Sequence, residues 1–165
     1  MRAAGFVLLG VLGLAAGAAA EDAPAAPAAF RVEHHLFGAR TDADARGRCR
    51  ARGGREIRTW YVAGFPAALP RFESCVVIGS PQARGDVLIG LRVVGPLGML
   101  QEVEGALDLG TAGRGVQVVA WDGLELPQAG AYFLEVEVDG QPVARLPMRV
   151  QVRKPGPKAG APARD

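Results

Sequence analysis

Through the middle and end of the chain, apolar and polar positions alternate with a period of two, while a 3.6-residue period is hard to find. Alternation of this kind puts every second side chain on one face of a strand. It predicts strands at residues 30–37, 56–63, 72–78, 86–95, 100–109, 115–122, 131–138 and 143–152. The segments between them, "GSPQARGD", "GPLGM", "GTAGRG" and "DGLELPQAG", carry turn residues. That spacing predicts an all-β fold, an immunoglobulin-like antiparallel β-sandwich of about seven or eight strands. The one helix the pattern allows is "DADARGRCRAR", residues 42–52, which Thr41 or Asp42 would cap and Gly47 would weaken.

The last two predicted strands constrain each other. Tyr132, Leu134, Val136 and Val138 share one face, and Ala144, Leu146, Met148, Val150 and Val152 share one face of the return strand. A two-residue Asp139-Gly140 turn pairs Val138 with Gln141, hence even positions with odd ones, and sets Arg145 beside Leu134 on the apolar face. The pattern opposes that register. A three-residue loop, Val138-Asp139-Gly140, with Gly140 left-handed in a G1 bulge, pairs even with even. Arg145 and Arg149 then stand with Glu135 and Glu137 on the solvent face. Just upstream, Pro127 and Gly130 form a corner before Tyr132, whose place matches a tyrosine corner, a structural role.

The two ends lack this patterning. Arg2, the apolar run "AAGFVLLGVLGLAAGAAA" and the small residues Ala18 and Ala20 predict a signal peptide over residues 1–20, with an uncleaved anchor as the alternative. An Ala/Pro linker over 21–29, a β-domain over 30–152 and a basic Pro/Gly tail over 153–165 complete the expected organisation. The expected location is periplasmic or secreted, with no transmembrane segment after signal cleavage. The net charge of +2 falls to +1 when Arg2 leaves with the signal, so broad nucleic-acid binding is not expected. Cys49 and Cys75 are the two cysteines. In an oxidising compartment they are candidates for a disulfide; the alternative is two unpaired thiols, with Cys75 buried in a strand.

Two motifs carry a resemblance: "FPAALPRF" at residues 65–72, leading into a strand, and the closing "WDGLELPQAGAYFLEVEVDGQPVARLPMRV" at residues 121–150. Together they resemble an uncharacterised family of small bacterial β-sandwich proteins, a domain of unknown function. In that family a segment like FPATLPRF precedes a strand, a G-P-turn hairpin and a final LPxxGxYxFxVxVDG hairpin. The resemblance spans roughly residues 60–150 and implies a fold, with no catalytic residues to carry over. The signal sequence and the Arg-rich stretch "RGRCRARGGR" depart from the family pattern.

Candidate chemistry is sparse. His34 and His35, beside Glu33, are the only histidines and the only weak metal candidates. Adjacent strand residues face opposite ways, and no spacing supplies the three or four ligands a site needs. Ser74 and Ser80 lack the context of a nucleophile elbow. A thiolate of Cys75 paired with His34 or His35 competes with the disulfide. Glu102, Glu104 and Asp108 read as a solvated strand face, and "GTAGRG" as a strand connection without a helix to hold phosphate. The charged feature that stands out is Arg46, Arg48, Arg50, Arg52 and Arg55, suited to anionic lipid, phosphate or an acidic partner. The resulting expectation is an exported, non-catalytic interaction or structural module without cofactors, its partner an unknown protein or an anionic envelope surface. The alternative is a small metal- or ligand-binding protein or enzyme using His34, His35 and nearby acids, or a ligand-binding sandwich using Trp60, Tyr61 and Trp121.

Overall fold

A computed structural model describes residues 29–153. The expected signal peptide, the linker up to residue 28 and the tail beyond Arg153 lie outside the described residues. The structure is all-β. In chain order its strands are β1 (Arg31–Gly38), β2 (Thr41–Ala43), β3 (Cys49–Ala51), β4 (Trp60–Val62), β5 (Ala67–Ala68) and β6 (Phe72–Gly79). They continue as β7 (Asp86–Gly95), β8 (Gly98–Asp108), β9 (Arg114–Trp121), β10 (Glu125–Leu126), β11 (Tyr132–Val138), β12 (Gln141–Met148) and β13 (Val150–Val152). Two larger antiparallel sheets, ordered β1-β6-β9 and β12-β11-β7-β8, are joined by the small pairs β2-β3, β5-β10 and β4-β13, the last of which is parallel.

Each larger sheet turns one face into a common core. Val76 and Ile78 of β6 meet Ile89, Leu91 and Val93 of β7 and Leu134 and Val136 of β11 there. Phe37, Trp60 and Phe72 pack edge to face at 5.1–6.2 Å, and Phe72 stacks on Trp121. Such pairs add to the energy of burial because ring edges meet ring faces. The indole Nε1 of Trp121 donates to Ser74 Oγ at 2.8 Å, satisfying both buried groups.

The expected even-with-even register holds between β11 and β12: Leu134 faces Leu146 and Tyr132 faces Met148. Its expected cause does not. The loop is the two-residue Asp139-Gly140 turn, with φ of 49° and 74° and with Val138 opposite Gln141. Parity is restored further along, where Val136 faces Ala144 but Glu137 faces Pro142, so Val143 is the extra residue of a bulge. Sheet neighbours β7 and β8 use the same device. Gly95 pairs with Gly98 across a two-residue turn, and Leu100 is the extra residue that brings Val93 opposite Gln101. In both hairpins the tight turn offsets the two strands by one residue, and a bulge further along takes up that offset. Asp139 tolerates its left-handed backbone because the turn is tied to β7: its N–H donates to Leu88 O, and its Oδ1 accepts from Leu88 N, both at 2.9 Å.

The helix expected at residues 42–52 is replaced by the β2-β3 hairpin. Asp44 N donates to Arg48 O and Gly47 N to Asp44 O, closing the three-residue loop Ala45-Arg46-Gly47 with Gly47 at φ 64°. Gly47, the residue that weakens a helix, is the one this loop requires. The strand expected at residues 143–152 divides into β12 and β13 at Arg149, where the chain leaves one sheet to pair with β4. That expected at 56–63 contracts to β4.

The Tyr132 hydroxyl donates to Gln128 O, four residues upstream, as a tyrosine corner requires. Gly95 makes room for that ring, since a Cβ there would lie 2.6 Å from Tyr132 Cε1.

Candidate functional site

On the outer face of the sheet β1-β6-β9, Leu36, Cys75 and Val77 would meet water if nothing covered them. The β2-β3 hairpin does so, adding Cys49 to form a small second core with Ala51 and Val116 at its margin. Cys49 and Cys75 are disulfide-bonded, with Cα atoms 5.7 Å apart, which rules out the two-thiol alternative and any Cys75 nucleophile. A second tie is polar: Glu73 Oε2 accepts from Thr41 N at 2.5 Å, and Thr41 is buried.

The hairpin so fixed presents the Arg-rich segment, and the five arginines divide into two groups. Asp44 Oδ1 accepts from Arg46 N at 2.8 Å and Arg48 N at 3.0 Å, and its Oδ2 takes the Arg48 guanidinium at 2.9 Å. These bonds, led by the Arg48 backbone N–H, pull the Asp44 carboxyl down to about 2. Asp42 Oδ2 takes Arg52 Nε at 3.0 Å. Arg46, Arg50 and Arg55 are exposed, and among the described residues no ion pair engages their side chains. The Arg46 backbone is anchored, its carbonyl accepting from Arg114 Nη1 at 2.7 Å. Arg114 also bonds Glu33 Oε2 at 2.7 Å, the main reason that carboxyl lies below its ordinary value. Two arginines therefore hold the hairpin together while three face outward.

The other sequence candidates lie outside the hairpin. His34 is exposed and His35 half-buried on β1, where a bulge at Glu33 interrupts the pairing with β6. Burial, reinforced by the neighbouring His34, lowers the His35 pKa. Among the described residues no group of three or more His, Cys, Asp or Glu is placed to hold a metal ion. Ser80 Oγ accepts from Ala83 N at 3.0 Å, capping a turn. Glu102 is bound by Arg92, which also holds Glu137 Oε2 at 2.8 Å; the Glu102 bond is the chief reason the Arg92 pKa rises. Arg145 pairs with Glu135 at 3.1 Å and lies 3.9 Å over the Phe133 ring. These carboxylates belong to a charge ladder across the outer face of the sheet; Glu104 and Asp108 stand outside it, Asp108 opposite Asp86.

Two concave regions flank Trp60. One is an open groove of about 830 Å³ along the "FPAALP" segment, with Tyr61 61% exposed on its wall and a cis peptide between Phe65 and Pro66. The other is a cleft of about 320 Å³ where β1 and β12 come together, lined by His35, Phe37, Arg58, Trp60, Pro147 and Arg149. Sequence reading places Arg149 on the charge ladder with Glu135 and Glu137. The break between β12 and β13 carries it into this cleft instead.

A family model described as "Family of unknown function (DUF6941)" matches residues 43–151, a range that contains both motifs of the resemblance and the Arg-rich stretch from Arg46 to Arg55. No curated protein matches the chain. Among solved structures, Bifidobacterium dentium beta-glucuronidase complexed with coumarin-3-O-glucuronide is similar at a TM-score of 0.41 and 10% identity over 75% of this chain. The chain spans 18% of that protein's length.

Proposed function

The chain belongs to the DUF6941 family, and we propose that it is an exported, non-catalytic interaction module. In this reading residues 1–20 are a cleaved signal, residues 30–152 form an immunoglobulin-like sandwich, and the protein works in the periplasm or outside the cell. The hairpin is its contact element, and Arg46, Arg50 and Arg55 meet the phosphates of an anionic envelope surface. The observation that carries the proposal is the division of the arginines: a disulfide and two aspartates fix the hairpin, and three guanidiniums remain outward. Arginine suits such a surface because its planar fork bonds two phosphate oxygens at once. The disulfide supports export, since such bonds persist in oxidising compartments. The tyrosine corner supports the sandwich assignment.

Vesicle sedimentation tests the contact. With vesicles of phosphatidylglycerol and phosphatidylethanolamine at low salt, the protein should pellet, and Arg46→Gln/Arg50→Gln/Arg55→Gln should remain in solution. Raising the salt should release the wild type, because exposed charges are screened within about 8 Å at physiological ionic strength. Equal pelleting of the variant would sink the proposal. Capture of a periplasmic protein that needs the same three arginines, without vesicle binding, would replace the surface with a protein partner. Fusing residues 1–29 to a reporter active only outside the cytoplasm tests export, and an inactive fusion would refute it.

A further inference from the structure

The chain has two tryptophans, and their indoles are satisfied differently. Trp121 donates to Ser74. Trp60 is only 5% exposed, and its Nε1 is buried without an acceptor among the described residues. An indole N–H can only donate, and leaving it unpaired in a buried place is costly, so an acceptor is expected from elsewhere. Trp60 lines the cleft between β1 and β12, and the polar groups around it are mostly donors. Arg149 engages no acid among the described residues, Arg58 reaches Glu56 only at 3.4 Å, and His35 stands on the β1 side. Glu56 is the one acid on the wall, its carboxylate 3.4 Å from Arg58. Phe37 and Pro147 supply apolar surface.

We propose that this cleft binds the oxyanion end, carboxylate or phosphate, of a small organic molecule with an apolar body. Arg149 takes the charge, and the Trp60 N–H supplies the directed hydrogen bond. The volume of about 320 Å³ suits a molecule of one aromatic ring with its headgroup. The site is separate from the Arg-rich hairpin and stands or falls independently of export and of surface binding.

The test is nuclear magnetic resonance of the two indole N–H groups in the oxidised protein, assigned with Trp60→Phe. Benzoate and phenyl phosphate are titrated separately, with benzamide as the neutral control and inorganic phosphate as the headgroup alone. The Trp60 resonance should move saturably with at least one aromatic anion while that of Trp121 stays in place. Arg149→Gln should weaken that binding about tenfold or more, the loss expected for a charge-assisted hydrogen bond. Arg149 is exposed, and the unmoved Trp121 signal reports that the variant keeps its fold. Comparison of the two anions identifies the headgroup, and inorganic phosphate shows whether the apolar body is needed. The proposal fails if neither anion moves the Trp60 signal at tens of millimolar, if benzamide moves it equally, or if Arg149→Gln binds as tightly as wild type.

Discussion

The β2-β3 hairpin and the β11-β12 hairpin each turn on a left-handed glycine, Gly47 in one and Gly140 in the other, yet they are built by different means. In the first, the loop itself supplies the odd residue, and strands of three residues each are too short to hold a register alone. A disulfide, the Asp44 bonds and the Glu73 contact hold it from outside. In the second, the turn is as short as a hairpin allows, and the odd residue is Val143, well inside the strand. There the register is held by Leu134 against Leu146 and by the pairing with β7. A hairpin with a core face of its own can postpone its parity correction, whereas one that contributes a single cysteine to a patch must be clamped.

Removing the clamp should separate the two most sharply. Replacing both cysteines, Cys49→Ala with Cys75→Ala, is expected to cost about 3.5 kcal/mol in urea unfolding, the loop-closure figure for a bridge of this span. Hydrogen exchange should accelerate across residues 41–51 while residues 132–148 keep their protection; equal loss in both would mean the hairpins are not independent. Glycine substitution comes next. Gly140→Ala should cost about 1 kcal/mol, the left-handed penalty alone, because nothing lies within 4 Å of the new Cβ. Gly47→Ala should cost more, since its Cβ would come 3.1 Å from Arg114 Nη1. An inverted order in paired denaturation curves would show that the second turn, not the first, is the strained one.

A smaller effect is specific to pH. The Asp44 carboxyl sits at about 2 in the folded protein, below its ordinary value of 3.8. Its contribution is therefore complete above pH 4 and is lost as the pH falls from about 4 to 2. Asp44→Asn keeps an acceptor but loses the charge, so its stability should vary less than wild type over that window; parallel acid limbs would rule this out. The smallest effect belongs to the second hairpin's surface. Arg145→Gln removes an exposed ion pair and the contact with Phe133, worth about 0.5 kcal/mol and diminished by salt.

What the chain discloses before folding follows from the range of the forces involved. Strand β7 ends where alternation and flanking turns place it, at Asp86 and Gly95, because pleat and burial act on neighbours. The β2-β3 hairpin is hidden because the non-charged half of the alternation in "DADARGRCRAR" is alanine, glycine and one cysteine, side chains too small to mark a buried face. Its fold depends on Cys75 and Glu73, far along the sequence. The bulge at Val143 is equally silent, for a bulge is chosen by the facing strand and not by the residue that forms it. The site divides similarly. The arginines stand out as a run, but only the structure separates Arg48 and Arg52, spent on aspartates, from Arg46, Arg50 and Arg55. The Trp60 cleft needs Arg149 carried across to β1, which no local pattern announces.

The prolines of β12 have a further consequence. Pro142 and Pro147 leave that border of the sheet β12-β11-β7-β8 short of donors, while β8, at the other border, runs 11 residues with no proline. A head-to-tail stack of copies must use both borders at every step. Two copies meeting through β8 alone would form a closed pair, and centring that pair on Val103 sets Glu102 against the other copy's Glu104, which repel. Light scattering on concentrated protein should therefore show nothing larger than a pair; longer assemblies would mean the proline border is open. A sheet that can be extended on one side only ends any growth at its first step, and the domain can be crowded without polymerising through it.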